Sequence, residues 1–184
     1  MNIRRLQGLA LMASAVCFLL GIFGPQSLSL IGPQATGFFV IVGILLFIGG
    51  IPAVNSAQPT GTIGLAGIGL LILASLIALL FRLSLVPSGF EGSLSLTSAV
   101  AGMLGAFITG WLTVRERVFP AWLGWALIAQ GFLNFFTGVI RLGPLTGMIP
   151  IFLPLLVVAV YFAYGYFLYQ NAAKPAVARK LPVA

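Results

Sequence analysis

Residues 63–86 read IGLAGIGLLILASLIALLFRLSLV, and a single charge, Arg82, interrupts the run. A helix needs about 20 mainly apolar residues to cross the roughly 30 Å hydrocarbon core of a bilayer, and this stretch has enough. Five other runs come near that length: Leu6 to Phe23, Thr36 to Val54, Leu94 to Val114, Pro120 to Ile140 and Met148 to Tyr169. The expected fold is therefore all-α, a polytopic transmembrane bundle of six spans. It forms a single integral membrane domain over residues 1–184, ending in a short basic tail at 170–184.

Composition points the same way. Of 184 residues, 60% are hydrophobic and 6% charged, whereas a soluble domain carries roughly a quarter charged residues. With a mean hydropathy of +1.17, the chain cannot cover a water-facing surface. The connectors, such as Gly24-Pro25-Gln26-Ser27 and Asn55-Ser56-Ala57-Gln58-Pro59, are short and rich in residues that end helices.

The cations set the orientation, because Lys and Arg beside short loops are retained on the cytoplasmic side. With the N-terminus inside, Arg4, Arg5, Arg115, Arg117, Lys174, Arg179 and Lys180 lie inside, and Arg82 and Arg141 lie near the outer surface. Trp111, Trp122, Trp125, Tyr166 and Tyr169 then fall at the inner interface, where amphipathic rings prefer to sit. Both termini are expected to be cytoplasmic, in an inner or plasma membrane. No small-x-small cleavage site follows Phe23, so the first span is read as uncleaved. Val16 is too large a residue to precede a lipid-modified Cys17.

An internal repeat is suggested by Gly8 to Ser14 (GLALMAS), Gly69 to Ser75 (GLLILAS) and Gly124 to Gln130 (GWALIAQ). Each lies in an outward-running span followed by a connector with Pro25, Pro87 or Pro144, as three copies of one helical hairpin would be.

The residue inventory excludes much chemistry. There is no His, one Cys and two carboxylates, so an imidazole base, a His-held haem, a dithiol relay and an ordinary metal site cannot be assembled. Glu91 and Glu116 are expected at opposite faces. The lysines sit in the C-terminal tail, away from any membrane-embedded serine. No carboxylate falls inside a span, which argues against ion-driven transport. The net charge of +7 is spread singly and in pairs rather than clustered as a nucleic-acid footprint. We expect no enzyme, no metal, no cofactor and no nucleic-acid partner.

Polar side chains inside a span are costly, so the stripe Gln130, Asn134, Thr137 and Arg141, at helical spacings of four, three and four, stands out. Interhelical hydrogen bonding is the commoner use of such residues. The alternative is a polar track from mid-membrane to the outer surface that hydrogen-bonds a ligand carbonyl, a quinone or a lipid headgroup, with Arg141 supplying positive charge; Arg82 and Arg141, near Glu91, either hold an anion between them or snorkel to the interface with Glu91 paired to one of them. These four residues and Arg82 form the candidate ligand-binding set. Small-residue stripes run along span one (Ala10, Ala13, Ser14, Cys17, Gly21) and span four (Ser98, Gly102, Gly105, Thr109, Thr113), fit for close packing inside the chain or for docking another subunit. Pro150 and Pro154 are expected to kink span six. Tyr161 and Tyr164 stand either as core packing or as the lining of a pocket.

The expected function is non-catalytic: an accessory or assembly subunit of a membrane complex, or a binder of a lipid-like apolar ligand. Its partners would be membrane lipid and another membrane subunit or a second copy. In size and span count the chain is similar to the six-helix substrate-binding subunits of energy-coupling-factor vitamin transporters. That likeness of architecture implies the alternative, a substrate-binding membrane subunit of a transporter.

Overall fold

A computed structural model of the chain describes residues 3–27, 33–58, 61–139 and 149–171. Seven helices follow one another: α1 (Ile3–Ser27), α2 (Pro33–Gly50), α3 (Pro52–Ala57), α4 (Gly61–Arg82), α5 (Glu91–Glu116), α6 (Ala121–Val139) and α7 (Ile149–Asn171). Five stretches, in α1, α2 with α3, α4, α5 and α7, are long and apolar enough to cross a membrane, as a helical membrane bundle requires. α6, 19 residues long, packs along α5 within the same bundle. Large apolar side chains such as Phe38, Leu65 and Phe152 face outward, as lipid-facing surfaces do.

Four features differ from expectation, and proline makes the clearest of them. The second span is not continuous. Pro52 has no amide to donate and opens a separate short helix as its first residue, while the amide of Ile51 still closes α2 on the Phe47 carbonyl at 2.8 Å. Gly24-Pro25 does not end the first helix, which runs on to Ser27. One missing amide costs a single backbone bond, and membrane helices tolerate that where neighbours compensate. Pro150 falls in the first turn of α7, where an amide would lack a helical partner anyway, so only Pro154 interrupts the helix interior. The third span stops at Arg82 instead of Val86, with Ser84 at φ 54°, in the left-handed region. Arg117, at φ 52°, ends α5 in the same way.

The six long helices form a closed ring in chain order, each packed antiparallel on the next, with α7 returning to α1. Four seams are intimate and two are thin. α2, α1 and α7 pack tightly as one layer, and α4, α5 and α6 as a second. The layers meet more loosely where α2 passes α4 and α6 passes α7. Glycine makes the tight seams. A Cβ on Gly165 of α7 would come within 2.6 Å of the Gly8 carbonyl of α1, and one on Gly110 of α5 within 2.5 Å of the Gly124 carbonyl of α6. Only hydrogen fits at such crossings, and the backbones gain dispersion contact by their approach. The two small-residue stripes pack within these layers, each mainly against its own hairpin partner. Ser14 donates to the Gly43 carbonyl of α2 at 2.8 Å, and Ser98 to the Ala74 carbonyl of α4 at 3.1 Å.

The proposed threefold repeat does not survive this geometry. Equivalent repeats place equivalent residues in equivalent seams. Gly8 lies in the α1–α7 seam and Gly124 in the α5–α6 seam, but a side chain at Gly69 would meet nothing within 4 Å. Two three-helix layers describe the packing better than three hairpins.

Candidate functional site

The two ends of the ring differ in charge. Arg4 donates to the Ser56 carbonyl at 2.9 Å, Arg5 lies over the Tyr169 ring at 5.7 Å, and Arg115 lies over Trp111 at 5.4 Å. Together with Arg117, these gather four arginines at one end, among the exposed rings of Trp111, Trp122, Trp125, Tyr166 and Tyr169. The other end carries Arg82, where α4 stops, and Glu91, where α5 begins.

Just inside the arginine-rich end the bundle is closed by a buried polar cluster. Thr113 donates to the Thr109 carbonyl at 2.9 Å. That commits its only hydrogen, so it accepts from the Gln58 side-chain amide at 2.9 Å and from the Tyr164 hydroxyl at 2.9 Å. Gln58, Thr113 and Tyr164 are all buried, and Phe119 packs edge-on against the Tyr164 ring with centroids 5.3 Å apart. The cluster ties α3, α5 and α7 together.

Toward the Arg82 end the layers part around a cavity of about 580 Å³, within the range of roughly 300–1,000 Å³ common for ligand pockets. All six long helices contribute walls, most of them apolar. The floor lies at mid-bundle, among Phe47, Leu71, Ala106, Gln130 and Tyr161, and the mouth has Arg82 and Ser95. Leu71 and Arg82 are eleven residues apart on α4, so the cavity is about 16 Å deep at the helical rise. It exists because α6 and α7 touch only thinly and because Pro154, which lines it, interrupts the α7 ladder.

Among the described residues, the floor holds the one polar feature in the cavity that is both buried and incomplete. The Gln130 amide donates to the Tyr161 hydroxyl at 3.1 Å, while Gln130 Oε1 has no partner although the residue is only 4% exposed. Among the described residues three buried side-chain atoms are so placed, Arg5 Nε, Thr109 Oγ1 and Gln130 Oε1, and of these only Gln130 lines the cavity. An unsatisfied buried acceptor costs about 1–3 kcal/mol, so its place beside a cavity calls for an explanation. The Tyr161 ring is held in place by stacking on Phe47, centroids 4.4 Å apart, and by a tilted contact with Phe18.

Of the candidate set, the structure brings Gln130, Asn134 and Arg82 to the wall of one cavity. Thr137 is turned back onto its own helix, donating to the Leu133 and Asn134 carbonyls at 2.8 and 3.2 Å. That back-bonding satisfies its hydroxyl locally, so it is not part of the track. Arg141 lies outside the described residues. Tyr161 joins the site through Gln130. The Gln58–Thr113–Tyr164 cluster had no advance signal beyond the spacing of Thr109 and Thr113, because Gln58 stands next to Pro59 in what reads as a plain connector. Comparison with protein-family models, with curated proteins and with solved structures gives no match.

Proposed function

We propose that the protein is a non-catalytic integral membrane protein of six spans that holds a lipid-like ligand between its two helical layers. The observation that carries this reading is the buried, unpartnered Oε1 of Gln130, a residue on the floor of a mostly apolar cavity. Apolar walls with a few fixed polar groups suit an amphiphile, and a depth of about half the hydrocarbon thickness suits one drawn from the bilayer. The collection of Arg4, Arg5, Arg115 and Arg117 at one end supports cytoplasmic termini in an inner or plasma membrane. Glu91 and Glu116, the first and last residues of α5, are separated by about 38 Å along the helix axis, too far to share a reacting atom.

Native mass spectrometry of the full chain, extracted in mild detergent, tests the reading. A stoichiometric lipid-like adduct is expected, and Ala78→Trp, which fills the cavity from the α4 side, should abolish it while the chain stays folded. A ligand-free wild-type monomer would count decisively against the proposal. A small polar metabolite in place of lipid would favour a transporter's substrate-binding subunit instead.

A further inference from the structure

We propose that the head group seated on Gln130 and Tyr161 is uncharged and both donates and accepts a hydrogen bond, a hydroxyl above all. The cavity would then select a long-chain alcohol over ethers, esters, quinones and ionised lipids. This rests on the reading of the cavity as a lipid site and specifies what enters it.

The donor and acceptor inventory makes the selection. With the Gln130 amide donating one of its two hydrogens to the Tyr161 hydroxyl at 3.1 Å, the pair at the floor still offers the Gln130 carbonyl oxygen as acceptor and, as donors, the Tyr161 O–H and the second amide hydrogen. Turning the amide over exchanges the roles and again leaves donors, now the two amide hydrogens, beside an acceptor, now the Tyr161 oxygen. A hydroxyl answers both. An ether, ester or quinone oxygen only accepts, and leaves one group unpaired in a low-dielectric site. An ionised head would be buried at mid-membrane without a counter-charge beside it, because among the described residues the charged side chain that lines the cavity is Arg82, at the mouth.

The same chain shows how it treats a hydroxyl between these two residue types. Between Gln58 and Tyr164 stands Thr113, whose hydroxyl oxygen accepts from both at 2.9 Å. Between Gln130 and Tyr161 no side chain of the described residues takes that place, and the space beside them is the cavity.

The test uses the full chain in phosphatidylcholine nanodiscs with tetradecanol, its methyl ether and tetradecane. Bound fraction is read by native mass spectrometry. One tetradecanol per chain is expected, retained about tenfold better than the ether, as one additional buried hydrogen bond gives. Gln130→Leu and Tyr161→Phe should each bring alcohol and ether within about twofold of one another, since either probe then makes a single bond. Equal retention of alcohol and ether by the wild-type chain overturns the head-group assignment and leaves the lipid site standing. Binding of none of the three probes overturns both. An alcohol preference that persists in both variants overturns the assignment to this pair, and Tyr161→Phe, which keeps the ring on Phe47, decides where Gln130→Leu does not fold.

Discussion

Two glutamine–tyrosine pairs sit at two levels of one bundle and have opposite fates. At the arginine-rich end Gln58 and Tyr164 close on Thr113, whose one hydroxyl hydrogen goes to the Thr109 carbonyl and whose oxygen accepts from both neighbours. At mid-bundle Gln130 and Tyr161 close on each other, and an oxygen is left over beside a cavity. The residue types are the same, so residue type does not separate interhelical glue from a binding site. What separates them is whether the chain supplies the third group. The closed end is packed by large buried side chains, Tyr164, Leu123, Leu127 and Leu168 among them. The open half has thin seams and a proline in its wall.

The contrast is broken most severely by prising apart the layer that holds Thr113. Gly110→Leu puts a side chain where even a Cβ would lie 2.5 Å from the Gly124 carbonyl and 2.7 Å from Ile128. The obstacle is backbone, which cannot rotate away, so we expect a loss of about 3 kcal/mol or failure to fold. Unfolding in mixed micelles with rising dodecyl sulfate measures it. A change under 1 kcal/mol would mean that the α5–α6 crossing is not as close as it is drawn.

Thr113→Val is the next largest. It keeps the shape and removes the hydroxyl on which Gln58 and Tyr164 depend, leaving two buried polar groups unpaired. Interhelical hydrogen bonds in membranes are worth about 0.6–1.7 kcal/mol each, so a loss of about 2 kcal/mol is expected in the same titration. Gln130→Leu is the counterpart in the open half and should behave differently. It loses the hydrogen bond to Tyr161 but also removes an oxygen that already lacks a partner, and because the two offset, stability without ligand should change by less than about 1 kcal/mol while ligand retention falls. If both variants lose the same stability, the mid-bundle pair is glue as well and the comparison collapses.

Much of the helix plan was legible because spans are set by length and hydropathy alone. Residues 63–86 overlie α4 at 61–82, and 94–114 falls inside α5 at 91–116. Which face packs on which was far less legible. In water an amphipathic stripe marks the buried face; in lipid both faces are apolar, and the packed face is marked only by small residues. Ser98, Gly102 and Gly105 could therefore be read as a packing stripe, but nothing in their spacing says that α4, rather than another helix, is their partner. The polar stripe of α6 was half informative for a related reason. Its spacing put Gln130 and Asn134 on one face, and both line the cavity, but a Thr one turn further on can satisfy itself on its own backbone, and Thr137 does. The cluster at Gln58 was hidden because it joins residues 55 and 51 positions apart in sequence.

The smallest expected effect bears on the architecture as a whole. A threefold hairpin repeat would make Gly8, Gly69 and Gly124 equivalent, and the same substitution at each would cost about the same. In two three-helix layers they are unlike. An alanine Cβ at Gly8 would lie 2.8 Å from the Gly165 carbonyl, and one at Gly124 would press on the Gly110 carbonyl, whereas at Gly69 it would meet open space. Gly69→Ala should therefore leave stability within about 0.5 kcal/mol or raise it slightly, since alanine loses less backbone entropy in a helix than glycine. Gly8→Ala and Gly124→Ala should each cost more than about 1 kcal/mol. Equal losses at all three positions in the dodecyl sulfate titration would restore the repeat and place a partner against the outer face of α4. A neutral Gly69→Ala means that this face meets lipid alone, and that the thin seams between the layers, rather than a third hairpin, are what leave room for the cavity.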